Sequence, residues 1–270
     1  MQRRSFKSGP LTLSYLDAGG NGETIIALHA HWMEAQTFAA LAQSLSPNWR
    51  VIALDQRGYG YSDHAASYTR DDYLHDLTAL YEHLGIERAI LLGNSLGGVN
   101  AYRFAARHPG RVQAIIIEDI GVVLKEELSF VLNWKGVFAT REQLEEVVGP
   151  RYLPYLRDSF RHDPGGWRLA FDPQEMLDSH HCLLGDYWSD WLASSCPALL
   201  IRGEESRVTS EAHLQEMAAR RPNTIFRQLP GGHVVHFDCP EVFTNAVRDF
   251  LIRAPHIKQT RLDLADKISS

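Results

Sequence analysis

One serine, one late histidine and a carboxylate set between them in chain order could together perform nucleophilic chemistry. Ser95 stands in Leu91-Leu92-Gly93-Asn94-Ser95-Leu96-Gly97-Gly98, with Gly93 at minus two and Gly97 at plus two. The apolar run Ala89 to Leu92 reads as a strand buried on both faces. Val99 to Arg107 reads as a helix that stops before Pro109. A Gly-x-Ser-x-Gly turn between a buried strand and a helix is a nucleophile elbow, because only small neighbours let the chain bend that sharply. The bland reading, a Gly-rich turn with an ordinary serine, does not require this strand–turn–helix context. A serine hydroxyl needs a general base within hydrogen-bond reach and a carboxylate to hold that base. His233 fits the base, since it follows the last predicted strand in the Gly-rich loop Pro230-Gly231-Gly232-His233. His236 is its rival, three residues on, but Gly231 and Gly232 free the backbone beside His233.

The elements that must position these groups follow in order. A hairpin over residues 3–17 precedes a buried run at 24–28, which ends in His29-Ala30-His31-Trp32. A helix over 36–45, a strand over 50–54, a helix over 70–84 stopped by Gly85, the elbow, and a strand over 112–117 come next. This alternation predicts an α/β fold with a mainly parallel sheet, helices on both faces, and chemistry at the carboxyl ends of the strands. Residues 122–191 break the pattern. They carry helical periods at 141–148 and 174–184, Pro150, Pro154, Pro164 and Pro173, and many aromatics, among them Trp134, Tyr152, Trp188 and Trp191. They read as a helical cap inserted into a core of residues 1–121 and 192–253. Most of the aromatics are expected to be cap core, and together they suggest an apolar pocket. The sheet resumes at 197–203 and 224–229. A last helix over 240–252 leaves a polar tail, 254–270, read as a loose extra helix or as disordered.

The whole chain narrows the choices. Its 270 residues suffice for one large domain with an insertion. A net charge of −6 without basic clusters argues against nucleic acid and membrane partners and leaves a small-molecule substrate. Three widely spaced cysteines form neither a zinc spacing nor a disulfide framework, as expected of a cytoplasmic protein. No signal peptide follows Met1, and no window reaches the length of a membrane span. No metal and no cofactor are expected.

The segments Leu28-His29-Ala30-His31, Asp55-Gln56-Arg57-Gly58-Tyr59-Gly60-Tyr61-Ser62, Gly93 to Gly98, and Gly232-His233 with Phe237-Asp238-Cys239-Pro240 resemble the α/β-hydrolase superfamily, in its order. The match covers nearly the whole chain outside the cap and is closest to esterases and lactonases with a helical cap. The resemblance implies an eight-stranded sheet and an oxyanion hole formed by the N–H groups of His31 and Leu96. His29, Trp32, Asn94, Trp134 and Trp188 are candidate pocket residues. Two departures stand out. Ala30 replaces a customary glycine, and Ser206 occupies the place where most members carry the acid after the seventh strand. Some members place the acid after the sixth strand, a position matched by Asp119. Strand alternation implies that Glu118 and Asp119 cannot both aim at the histidine loop. Glu204 and Glu205 are expected to be solvated, and Asp55 and Arg57 structural. The expected triad is Ser95, Asp119 and His233, working by acyl transfer on an ester or lactone. Similar proteins include cofactor-independent oxygenases and C–C bond hydrolases, a choice that His29 and His31 keep open, and a slow-turnover hormone receptor.

Overall fold

A computed structural model describes residues 1–268, with side chains through Ala254. Eight strands make one sheet: β1 (Gln2–Ser8), β2 (Leu11–Asp17), β3 (Glu23–Leu28), β4 (Trp49–Leu54), β5 (Ala89–Asn94), β6 (Val112–Glu118), β7 (Ala198–Gly203) and β8 (Thr224–Leu229). Their spatial order is β1-β2-β4-β3-β5-β6-β7-β8. The hairpin β1–β2 and the β2–β4 pair are antiparallel, and every pair from β4 to β8 is parallel.

The central strands are apolar on both faces, so alternate residues enter two different cores. Ile26, Leu28, Leu91, Ile115, Ile117 and Leu200 face one. Ile25, Ala27, Ile90, Leu92, Ile116 and Ile201 face the other. The chain runs from β3 to β4 on one side and returns at β5 on the other. That reversal opens a crevice between the ends of β3 and β5, where the loops after both strands meet.

Helices α1 (Ala39–Leu45), α2 (Arg70–Leu84), α3 (Leu96–Arg107) and, beyond β6, α4 (Arg141–Val148), α5 (Pro173–His181), α6 (Trp188–Ala193), α7 (Glu211–Arg220) and α8 (Pro240–Ile268) cover the sheet and build the intervening segment. Local chemistry sets their ends. Thr69 and Asp72 form a capping box at the start of α2, and Gly85 closes it at φ 63°. Tyr73, Leu74, Leu77, Leu80 and Tyr81 place its apolar stripe on the core. The helix read from residue 36 is a 3₁₀ turn, Ala35–Phe38, joined to α1.

Between β6 and β7 the structure differs from an all-helical expectation. Phe160–Asp163 pairs with Gly166–Leu169 in a hairpin, and Val123–Leu124 pairs with Gly185–Asp186. These strands are short and half-exposed, so they carry no apolar run by which sequence could reveal them. Trp191 is fully buried, but against the core. Its ring meets Tyr102 of α3 edge-on at 6.0 Å, and its Nε1 donates to the Met217 carbonyl of α7 at 3.0 Å. Helix α8 continues to Ile268, past the expected end at Ile252. The tail read as loose covers 254–270; the side chains beyond Ala254 and all of Ser269 and Ser270 lie outside the described residues. Among the described residues, no helix is long and apolar enough to cross a membrane.

Candidate active site

Ser95 occupies the turn from β5 into α3 at φ 52°, ψ −116°, a conformation costly for any residue with a Cβ. The glycines on either side make that turn possible. A Cβ on Gly93 would overlap the Gly97 carbonyl, and one on Gly97 would overlap the Leu28 carbonyl at the end of β3. Two bonds fasten the elbow to β6: Ser95 N–H and Asn94 Nδ2 each donate to the Glu118 carbonyl at 3.1 Å. The Ser95 side chain is partly exposed, and among the described residues its hydroxyl makes no hydrogen bond.

Asp119 is the first residue past β6 and also has positive φ, 50°. Its N–H donates to the Ile201 carbonyl at 2.8 Å, turning the side chain toward β7. Oδ2 lies 2.7 Å from His233 Nδ1 and accepts from Ser206 Oγ at 2.5 Å. Oδ1 accepts from Thr209 Oγ1 at 3.2 Å and from Gly203 N–H at 3.3 Å. Ser206, which cannot itself be the acid, thus donates to the carboxylate that reaches the histidine. Asn94 Nδ2 also donates to the His233 carbonyl at 3.0 Å, tying the histidine loop to the residue before Ser95.

Burial disfavours the His233 imidazolium. The Asp119 hydrogen bond and charge, with Glu118 and Glu126 farther off, outweigh it and raise the pKa above the usual imidazole value. Among the described residues its Nε2 makes no hydrogen bond, and the side chain is 24% exposed.

Glu118 corrects the alternation argument. Both neighbouring carboxylates reach the histidine loop, because the left-handed turn at Asp119 ends the pleat at Glu118. Glu118 accepts from His236 N–H at 2.8 Å and lies 2.6 Å from His236 Nδ1. The other ring nitrogen of His236 meets Thr37 Oγ1 at 2.8 Å, and the ring stacks on Phe38 at 4.6 Å. Glu204 and Glu205 are exposed.

The loop after β3 starts beside the elbow, where the Leu28 carbonyl packs on Gly97. Ala30 keeps negative φ, and Trp32 takes the left-handed position instead, at φ 73°. Among the described residues, the N–H groups of His31 and Leu96 have no acceptor. Both can serve an oxyanion, Leu96 as the first residue of α3, where N–H groups lack intrahelical partners.

The pocket candidates separate. His29 has no exposed surface. Its Nδ1 bonds the Ala30 carbonyl at 2.7 Å, its Nε2 accepts from Gln56 N–H at 3.0 Å, and burial lowers its pKa to about 4. Asn94 is likewise buried, and its Nδ2 holds two loops. Trp188 packs outward under Arg220, 3.7 Å from its ring centre, and against His213. Trp32 and Trp134 pack edge-to-face at 5.4 Å in one aromatic cluster with Phe130 and Tyr152. Asp55 and Arg57 serve the scaffold: Asp55 accepts from Ala35 N–H at 2.7 Å, and Arg57 grips Asp76 at 2.7 and 2.8 Å. Sequence reasoning missed the part of Ser206 and the buried polar cluster around Arg70. Serine in a customary acid position was the signal for the first.

Residues 20–246 match the model of the alpha/beta hydrolase family. A 2-(acetamidomethylene)succinate hydrolase of Mesorhizobium japonicum is 28% identical over 258 residues, covering 90% of this chain and 92% of its own. A fluoroacetate dehalogenase of a Burkholderia species is 26% identical over 290 residues, 93% of each chain. Among solved structures, an E-2-(acetamidomethylene)succinate hydrolase superposes with a TM-score of 0.82 at 26% identity, over 93% of this chain and 98% of that one.

Proposed function

We propose that this chain, which belongs to the alpha/beta hydrolase family, is a serine hydrolase that cleaves a carboxylic ester or lactone through an acyl-enzyme. The observation that carries the reading is the Asp119–His233 contact of 2.7 Å on a loop bonded to the residue before Ser95. In this reading Asp119 fixes the proton on Nδ1, so Nε2 is the basic nitrogen. His233 takes the Ser95 proton as Oγ attacks the carbonyl carbon, and the N–H groups of His31 and Leu96 hold the oxyanion. The protonated histidine then gives its proton to the departing alcohol, and water repeats the sequence on the acyl-enzyme. No step requires a metal or a cofactor.

Residues 122–191 act as the cap, and the Trp32–Phe130–Trp134–Tyr152 cluster gives an apolar wall for part of the substrate. Contacts from this segment hold it on the core: Ser159 Oγ donates to the Trp32 carbonyl at 2.6 Å, Arg161 pairs with Glu34 at 2.6 Å, and Glu175 accepts from Tyr68 at 2.6 Å. The oxygenase and C–C cleavage readings lose support from His29, whose two ring nitrogens are both engaged. The test is Ser95→Ala. It should lower kcat for a medium-chain ester by about 10⁴-fold or more with the fold intact. Near-normal turnover by the purified variant would overturn the reading.

A further inference from the structure

Arg70, the first residue of α2, is only 5% exposed, yet among the described residues no carboxylate lies within ion-pair distance of it. A guanidinium taken out of water is costly unless a counter-charge or a full set of hydrogen bonds compensates it. Arg70 has neither. Its Nη2 donates to the Tyr68 carbonyl at 3.0 Å and to the Ser179 carbonyl and hydroxyl at 2.9 Å each, and its Nη1 reaches Asn100 Oδ1 only at 3.4 Å. Among the described residues, its buried Nε has no partner. Arg221 shows how the fold treats a purely structural arginine. More deeply buried and, among the described residues, also without a carboxylate, it places Nε on the Trp191 carbonyl, Nη1 on Thr224 and Nη2 on Ser194 and the Cys196 carbonyl.

The surroundings of Arg70 are incomplete in the same sense. The hydroxyls of Tyr59 and Tyr102 and the Nδ1 of His180 are buried and, among the described residues, unpartnered. The Arg70 charge acts on all three residues and on His31. Ser179, which Arg70 holds, stands 3.4 Å from His31 Nε2. The cluster therefore adjoins His31, in the loop that follows β3, at the seam between α2, α3 and α5.

We propose that Arg70 is the anchor of a subsite for a carboxylate carried by the substrate, remote from the carbonyl that Ser95 attacks. One carboxylate oxygen meets Nε, and the other takes the place of Ser179 Oγ on Nη2, giving the side-on bidentate geometry that a guanidinium favours. The substrate class is then a half-ester, or a lactone bearing a free carboxylate, with an apolar middle. This rests on the acyl-transfer reading given above.

The experiment compares ethyl pentanoate with monoethyl glutarate, in which a carboxylate replaces the terminal methyl, in wild-type protein, Arg70→Gln and Ser95→Ala. The expected result is a wild-type kcat/KM ratio of about tenfold or more in favour of the half-ester, falling to about one or below in Arg70→Gln. A ratio near one in the wild type, or one unaltered in Arg70→Gln, overturns the subsite while Ser95-dependent turnover leaves the acyl-transfer reading standing. Absence of Ser95-dependent turnover of both esters overturns that reading instead. In that event, or should Arg70→Gln fail to fold, calorimetry on the wild type decides the subsite. Binding of glutarate but not glutaramide supports it, and no binding of glutarate overturns it.

Discussion

Two histidines three residues apart are each held by one of two adjacent carboxylates, and the two pairs are built for different ends. Glu118 and His236 are sealed, with side chains 0% and 1% exposed. Both ring nitrogens of His236 are used, one on Glu118 and one on Thr37, and Phe38 covers its face. Asp119 is as buried as Glu118, but among the described residues its partner His233 keeps one ring nitrogen free of hydrogen bonds, at a partly open surface. A base needs a free lone pair as well as a carboxylate behind it. Only the second pair offers both, so the first pair reads as a clasp that fixes the loop on which the second works.

The largest separation should come from removing each ring. His233→Ala is expected to lower kcat by about 10⁴-fold or more with a smaller loss of Tm than His236→Ala, since Asp119 keeps the bonds it accepts from Ser206, Thr209 and Gly203. His236→Ala should instead cost about 3–5 kcal/mol of stability, because it strips a buried carboxylate of its partner. Thermal unfolding beside ester turnover separates the two. A large kcat loss in His236→Ala at unchanged Tm would break the comparison.

A smaller effect is expected one step behind the acid. Ser206→Ala removes the hydrogen bond at 2.5 Å to the Asp119 oxygen that also meets His233. A hydrogen bond to a charged group contributes about 1.5–3 kcal/mol to stability, and only the part that strengthens in the transition state acts on the rate, so kcat should fall by about tenfold or less. Rescue by Ser206→Thr, which keeps the hydroxyl, would show that the bond rather than the volume matters.

The smallest effect is a displacement of the pH profile. Asp119 raises the His233 pKa, so protonated imidazole persists to higher pH than in a free side chain, and protonated imidazole cannot act as a base. In the wild type kcat/KM should therefore fall with decreasing pH through a value above about 6.5. The residual activity of Asp119→Asn should keep its level to lower pH. An acid limb at the same position in both proteins would show that Asp119 does not act on the base.

Much of the fold could be read from sequence because the central strands are apolar on both faces and the helices carry strong local signals, such as the Thr69–Asp72 box and Gly85. The hairpin at 160–169 could not, since its strands are half-exposed and stabilised by their partners rather than by their own pattern. At the candidate site, Gly93 and Gly97 announce the turn because a Cβ at either would strike backbone. Alternation failed at Glu118 and Asp119 because a single left-handed residue redirects the second side chain, and φ is not written in an aspartate. Arg70 was illegible for a related reason. Its lack of a counter-charge depends on which distant side chains the fold brings to it.

The central claim is that Asp119, not its neighbour, orients the base, and paired amide substitutions test it most directly. Asp119→Asn and Glu118→Gln would be measured on one ester in one buffer, with kcat and Tm recorded for both. The account predicts a loss of about 10³–10⁴ in kcat for folded Asp119→Asn. For Glu118→Gln it predicts kcat within about tenfold of wild type and a clearly lowered Tm, as expected when a buried pair is weakened. Near-wild-type turnover by folded Asp119→Asn, with Glu118→Gln crippled in kcat, would contradict it.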